Sequence, residues 1–536
     1  MTNGPLSSVG GTPDYTGAYT TIREGRSEDL LGVAWRSFAL ASLDTTERLL
    51  RIYMDFIYPV FPLFHGPTLW QRFRNHEHLS DRGFFASVMA ACALASARAR
   101  DGAYDGIYAY AIGGAERQSE IFFAAAQDAI VKDFSAAIGP GYLRACGLLA
   151  FTALQYGQIK TMHEYLGHYL TLCAMCNFHD ESRWPADVGI VEKEERRRLF
   201  WTMYGFDIFT SVTFDSIMRS QETHASVSYP SEISDEDLTT GIPSPSNEDN
   251  WLRGWNFTTD LYRVLEHTVK RIRRHKLRRE DRTSVVKLLM AEDISEMKVL
   301  ESVLNLYYQL PAHFRDYSVP MTGEKGKDIF GFQTANIQAT LQLVRIAVCS
   351  TDGNSTEDVR RKCDVAEQVL STFRTVSPHF LKAISTPLVY HLGAIGTILA
   401  SAMEGMLTEE SYARVRSLLV SMADLLQDLE SSLQPTAGAS KIVREQIAKV
   451  DQYMQTQRQM IASWPQQDTS MSGHANAAMT STTGMLSTAG QSQRPTGLTP
   501  MEEFQLPPDL VGEWPWPFEF TQNDYPNQMY AIQGYN

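Results

Sequence analysis

Residues 44–73, DTTERLLRIYMDFIYPVFPLFHGPTLWQRF, decide how this chain folds. Leu49, Ile52, Tyr53, Phe56 and Ile57 recur at i, i+3, i+4, i+7 and i+8, so one helix presents a single wide apolar face. Asp44 stands three residues before Glu47, the capping-box spacing, and places the start of that helix. Pro59 and Pro62 cannot continue it, because each lacks an amide proton and restricts the residue before it. The chain is therefore expected to leave as an extended apolar hook (Val60, Phe61, Leu63, Phe64). It re-enters a helix near Pro67, a favoured first-turn residue. A hook this hydrophobic has to lie among other helices.

Outward from that stretch the helical period persists. Residues 80–99, 107–134, 140–157, 251–282, 284–310, 333–350, 355–376, 379–404, 408–433 and 437–462 read as further helices, and no period-2 alternation is sustained. The fold class is all-α: a large multi-helix regulatory domain over 28–463 with disordered N- and C-terminal segments. Residues 1–27 are rich in Gly, Ser and Thr, and 464–500 form a low-complexity linker. The chain has 536 residues, a hydrophobic fraction of 43% and a net charge of −14. That charge argues against nucleic-acid binding through the overall field. No apolar run is long enough to span a bilayer, and six scattered cysteines make no disulfide framework. An intracellular, soluble protein is expected.

The hook, Tyr58-Pro59-Val60-Phe61-Pro62-Leu63-Phe64-His65, resembles the opening signature of the fungal-specific middle homology region, the regulatory domain of fungal zinc-cluster transcription factors. A second block, 191–218, resembles the same family through Glu194, Glu195, Arg196, Arg197, Arg198, Phe200, Trp201, Tyr204 and Asp207. Helical geometry groups these without the family. Arg196, Phe200, Met203 and Asp207 form one stripe, with Arg197, Trp201, Tyr204 and Ile208 beside it. The aromatic bodies should fill the core, while the charged ends need partners if buried. These residues are expected to hold the fold, with no catalytic role. The family's usual Gly-Arg-Pro turn is replaced here by Ser216-Ile217-Met218, and 229–249 reads as a polar surface loop. The family's zinc cluster needs six closely spaced cysteines, whereas Cys92, Cys146, Cys173, Cys176, Cys349 and Cys363 spread over about 270 positions. No cofactor is expected in this chain, and zinc only if an N-terminal cluster exists on a longer product.

Three segments invite sharper readings. His163, His168, Cys173, Cys176 and His179 are zinc-ligand types, but within one helix they read better as packed cysteines and half-exposed histidines; Asn177, Phe178 and His179 resemble the family's Gly-Leu-His helix ending, with Asn where either residue can turn left-handed. Lys270, Arg271, Arg273, Arg274, Lys276, Arg278 and Arg279 form a dense basic run. It suits nuclear import or phosphate contact, and equally a solvated helix end whose charge complements the macrodipole. Residues 501–536 hold six acidic residues, no Lys or Arg and eight aromatics. Trp514, Trp516, Phe518 and Phe520 are candidate activation anchors, or parts of a strand or turn that docks back on the domain.

The resemblance implies a regulator of transcription by RNA polymerase II in a fungal nucleus, not an enzyme. Its partners would be the transcription machinery or co-regulators, a second copy or a zinc-cluster protein, a small-molecule effector, and DNA only indirectly. The rival expectation is a helical dimerisation or scaffold protein, or a small-molecule sensor, without direct transcriptional activity.

Overall fold

Ser42, not Asp44, precedes the opening helix, which runs Leu43–Ile52 (α1). The computed structural model describes residues 38–39, 42–103, 118–137, 139–240, 250–280, 296–349, 356–404, 407–431, 438–462, 504–507 and 510. No side chain caps α1, because a helical turn already leads into it: Ser42 N–H donates to the Phe38 carbonyl at 3.0 Å and Thr46 N–H to the Ser42 carbonyl at 2.8 Å. The capping box is therefore not formed. Asp44 instead pairs with Arg48 at 3.0 Å and Glu47 with Arg51 at 2.6 Å, ordinary i,i+4 surface pairs. The helix then widens into a π-turn, Tyr53–Ile57, in which Tyr58 N–H reaches back to the Tyr53 carbonyl at 2.8 Å. All five stripe residues are buried.

After the hook, α2 (Gly66–Arg74) starts with Pro67 in its first turn and His65 as its cap. Helix α3 (Arg82–Arg100) is buried from Gly83 to Arg98, so it is the central post of the N-terminal half. Around it pack α1, α4 (Ser119–Ala129) and α5 (Pro140–Gln155). A Cβ at Gly141 would lie 2.7 Å from the Gly83 backbone, so α3 and α5 approach closely there because glycine stands at both positions. Helix α6 (Ile159–Met175) ends as expected, with Asn177 at φ 50.

Helices α7 (Ile190–Thr213) and α9 (Leu252–Glu280) join the two halves, with a short α8 (Asp235–Thr240) between them in sequence. The C-terminal half is α10 (Glu296–Gln309, closed by Leu310 and Pro311), α11 (Lys325–Cys349), α12 (Thr356–Thr375), α13 (Pro378–Ile384), α14 (Thr386–Ala400), α15 (Glu409–Glu430) and α16 (Ala439–Ala462). The single helix expected over 379–404 is split at Ser385, whose φ of 64 and ψ of −146 no helix permits. One continuous apolar core runs through both halves. Among the described residues there is no strand, only two isolated bridges. One of them is Leu407 with Phe504, which exchange two backbone hydrogen bonds of 2.8 Å. Leu506 is buried and Gln446 Nε2 donates to the Leu510 carbonyl at 2.7 Å, so this segment rests on α15 and α16. Residues 1–27, 464–500 and the aromatics Trp514, Trp516, Phe518 and Phe520 lie outside the described residues. No helix among the described residues is long and apolar enough to cross a membrane.

Candidate functional site

The Val60 and Phe61 N–H groups turn back to the Ile57 carbonyl at 3.0 and 2.8 Å and the Leu63 N–H donates to the Phe61 carbonyl at 2.8 Å, and side chains meet the carbonyls of the hook as well. Four different elements supply them. Gln333 Nε2 from α11 donates to the Pro59 carbonyl, and Trp255 Nε1 from α9 to that of Val60 at 3.1 Å. Tyr53 hydroxyl donates to the Phe61 carbonyl at 2.7 Å, and Arg144 Nε from α5 to that of Leu63 at 2.5 Å. Phe61 stacks on Phe151, while Pro62, Leu63 and Phe64 are buried.

At the end of the hook lies a buried polar cluster centred on Asp235. Its carboxylate accepts from the Tyr58 hydroxyl at 2.7 Å, the Gly66 N–H at 2.7 Å and Arg198 Nη1 at 2.7 Å. Its backbone carbonyl lies 2.7 Å from His65 Nε2, and the His65 N–H donates to Glu195 at 2.7 Å. Glu195 also pairs with Arg144 at 3.0 Å. Burial alone would raise the Asp235 carboxyl, but the Arg198 charge, the Gly66 N–H and the Tyr58 hydroxyl outweigh it and hold it below the usual range. Asp235 corrects the surface-loop reading of 229–249: the acidic loop turns inward because Arg198, fully buried, needs a counter-ion. The cluster ties the hook to α7 and α8.

The rest of the second block is likewise partnered. Arg196 pairs with Glu192 at 2.6 Å and lies over Phe178 and Trp184. Arg197 pairs with Glu181 and with Glu194 at 2.7 Å. Phe200 is buried, Trp201 Nε1 donates to the Ser228 carbonyl at 3.1 Å, and Tyr204 hydroxyl donates to Glu266 at 2.5 Å. Asp207 accepts the backbone N–H groups of Arg219 at 2.8 Å and Ser220 at 2.5 Å. The backbone that meets Asp207 thus follows directly after Ser216-Ile217-Met218. In the basic run, Lys270 is engaged by Glu266 and Gln221, and Arg273 donates to the Ser216 carbonyl at 2.7 Å. Arg271 is half-buried and Arg274 exposed, whereas the side chains of Lys276, Arg278 and Arg279 lie outside the description.

Beside the hook, between the halves, a cavity of about 80 Å³ is walled mainly by Phe61, Phe151, Trp201, Phe206, Trp255 and Tyr262. Thr202, Thr258, Thr259, Asn336 and His391 supply its polar lining, and Ile384 and Pro387 roof it from the α13–α14 junction. His391 was not singled out from sequence; a histidine in the apolar run TPLVYHLGAIG was its only signal. Its ring is buried, hydrogen-bonds to the Ala339 carbonyl, and is held neutral by burial, with its pKa pushed down to about 4. Nε2 has no partner.

Burial pushes the thiols of Cys146 and Cys173 up to about 12 and that of Cys363 to about 11, so they stay protonated and poorly nucleophilic. Cys173 is buried but Cys176 exposed, and no group of three or more metal-ligating side chains forms among the described residues. His168 packs edge-on against Phe134 and Tyr165. Residues 50–314, from α1 to the turn after α10, match the family described as Fungal specific transcription factor domain.

Proposed function

We propose that this chain regulates transcription by RNA polymerase II in a fungal nucleus, as the effector part of a zinc-cluster-type factor. The observation that carries the reading is the family match over 50–314, which contains both the hook and the Asp235 cluster. Promoters are reached through a partner or through a zinc cluster on a longer product. Base readout needs a rigid element in a groove with phosphate contacts around it, and here the basic end of α9 commits Lys270 and Arg273 to internal acceptors. Purified 1–536 is expected to show no preference among genomic fragments at near-physiological salt, with any binding fading steeply as salt rises. One fragment held tightly and selectively would overturn this part.

Transcriptional output is assigned to the acidic-aromatic tail. Fused to a heterologous DNA-binding module, 501–536 should activate a reporter, and replacing Trp514, Trp516, Phe518 and Phe520 by Ala should abolish the signal. The seating of Phe504 and Leu506 on the domain favours the rival, a docked tail, for at least its first residues. A silent fusion, or activity that survives the four substitutions, would leave that rival standing. The domain itself is assigned the reception of a small-molecule effector, which the central cavity favours over a purely scaffolding role.

A further inference from the structure

We infer that the surface around Leu407, Tyr412 and Gln446 is a peptide-docking site whose ligand is the chain's own segment 504–510, and that release of this segment raises transcriptional output. The second half of the inference rests on the tail reading above; the first half does not. Leu407 stands just before the cap of α15, outside any helix, so no helix supplies partners for its backbone. Among the described residues both of its backbone groups are met by Phe504, N–H to carbonyl in each direction at 2.8 Å, which is a hydrogen-bonded antiparallel pair. Gln446 makes the third polar contact. Its side chain is only 6% exposed, yet its amide nitrogen donates away from α16 to the Leu510 carbonyl at 2.7 Å. Three polar groups of the domain are therefore completed by the tail, and leaving such groups unpaired when buried is costly.

The side chains follow the same pattern. Phe504 and Leu506 turn inwards while Gln505 between them is exposed, the period of an extended strand. Phe504 meets Tyr412 edge-on with ring centroids 6.1 Å apart, Leu506 is 2% exposed, and Leu510 packs against the same core. Pro507 has no amide hydrogen to extend the pairing, and its carbonyl accepts from the Leu510 N–H at 3.0 Å. Backbone pairing thus supplies attachment and alternate side chains supply selectivity, as when a peptide adds to a strand edge. The ligand class is an extended peptide reading aromatic-x-Leu, with a second Leu four residues on. Charge agrees: Glu502, Glu503 and Asp509 accompany the segment, and α16 sets Lys441, Arg444, Lys449 and Arg458 against Glu445 and Asp451. Few residues are seated, so the contact is weak by itself. A ligand tethered within one chain meets its site at an effective concentration on the order of millimolar, which fills the site and leaves it exchangeable. Trp514 follows Leu510 by four residues, a reach of at most about 14 Å. A partner that needs Trp514 and Trp516 has to take them from beside the domain.

A fluorescein-labelled peptide of residues 501–513, titrated into full-length protein and read by polarisation, meets a site that the chain's own tail already fills. Leu506→Asp puts a charge where a buried leucine stood and should release the tail. The full-length variant should then bind the peptide about tenfold or more tightly than the natural protein does, since the tethered competitor is gone. Adding Gln446→Ala should cost about fivefold of that affinity, the loss of one hydrogen bond. If Leu506→Asp does not fold, hydrogen exchange in the natural protein decides: the Leu407 and Phe504 amides should be protected together, by about tenfold or more over unpaired amides. No gain in peptide affinity on release, indifference to Gln446→Ala, or unprotected Leu407 and Phe504 amides would overturn the docking site. For output, the natural and Leu506→Asp chains, each joined in full to a heterologous DNA-binding module, are compared on a reporter, and the released chain should be several-fold the stronger. Peptide binding gained with reporter output unchanged would keep the docking site and refute its regulatory role. A silent 501–536 fusion would refute the tail reading and the regulatory half with it, while the docking site stands or falls on the peptide.

Discussion

Two buried polar centres flank α7, and they are finished differently. At Asp235 both carboxylate oxygens, the backbone carbonyl and the neighbouring His65 N–H have partners from within the chain. At His391 the ring is bonded on one side only. The first is built from residues far apart in sequence that close on one another, so it fixes the relative position of hook, α7 and α8. The second has Nε2 without a partner among the described residues, on a ring that lines a cavity. A carboxylate met from four sides within the chain fixes the packing of the elements that meet it, whereas a ring held on one side fixes less.

The largest effect should come from breaking the closed centre. Asp235→Ala leaves the Arg198 guanidinium fully buried without its counter-ion and strips Tyr58 and Gly66 of their acceptor. Removing one partner of a buried pair costs about 3–5 kcal/mol, a large part of the stability of a domain. Urea denaturation should show it as a strongly lowered midpoint. The double variant Asp235→Leu with Arg198→Met should recover much of the loss, since no bare charge remains. If the single variant is as stable as the natural protein, the cluster is not the clamp described here.

Much of this was legible in the sequence, for identifiable reasons. The stripe from Leu49 to Ile57, the two prolines of the hook and the re-entry at Pro67 are local signals, and all three hold. Asn177 ends its helix with a positive φ because its short amide side chain tolerates that conformation. Partners for the charged ends of 194–207 could be demanded from burial, but not named. Asp235 lies 37 positions from Arg198, within a stretch whose composition is that of a surface loop. Composition reports the average environment of a loop; one inward-turned carboxylate does not alter it. The capping box failed for the opposite reason: its pattern was local, and upstream helical geometry had already met the amides it would have served. The break at Ser385 has no Gly or Pro at the break itself to announce it, and His391 becomes notable only when its ring is seen to lack a partner.

The two centres should also separate by pH. Burial holds His391 down to about 4, while an unfolded histidine titrates near 6.5. Between those values the unfolded chain takes up a proton that the fold refuses, so stability is full above pH 6.5 and falls towards pH 4, by up to about 3 kcal/mol. His78, also lowered to about 4 by burial, adds to the slope, and Asp101, raised to about 6 by burial, opposes it between pH 4 and 6. Asp235 acts elsewhere: its carboxyl is lowered, so its contribution persists above about pH 4 and is lost only below. His391→Leu should therefore match or exceed the natural protein at pH 7 and gain on it progressively to pH 4.5, read from urea midpoints. Parallel curves would mean that the ring is not held neutral inside the fold.

The smallest effect expected has the opposite sign to the first. Ser385, between the cavity-lining Ile384 and Pro387, has φ 64 and ψ −146, a backbone region essentially confined to glycine and worth about 1–3 kcal/mol of strain for any other residue. Its hydroxyl accepts from Gln155 Nε2 at 2.8 Å, but that amide has two hydrogens and three acceptors within reach, the others being Asp101 at 2.7 Å and Thr386 at 2.9 Å. Loss of the hydroxyl leaves both hydrogens bonded. Ser385→Gly should thus relieve the strain at the cost of about 0.5–1 kcal/mol for the freer unfolded chain, a net gain of about 1 kcal/mol. A deleted partner costs stability at Asp235 because every atom there is needed, and gains it at the roof because one acceptor is in surplus. A raised urea midpoint would show that strain is stored at Ser385 and that its hydroxyl is dispensable. A lowered midpoint would show that the Ser385 hydroxyl is needed as the Asp235 partners are, and the contrast between the two centres would end at the roof.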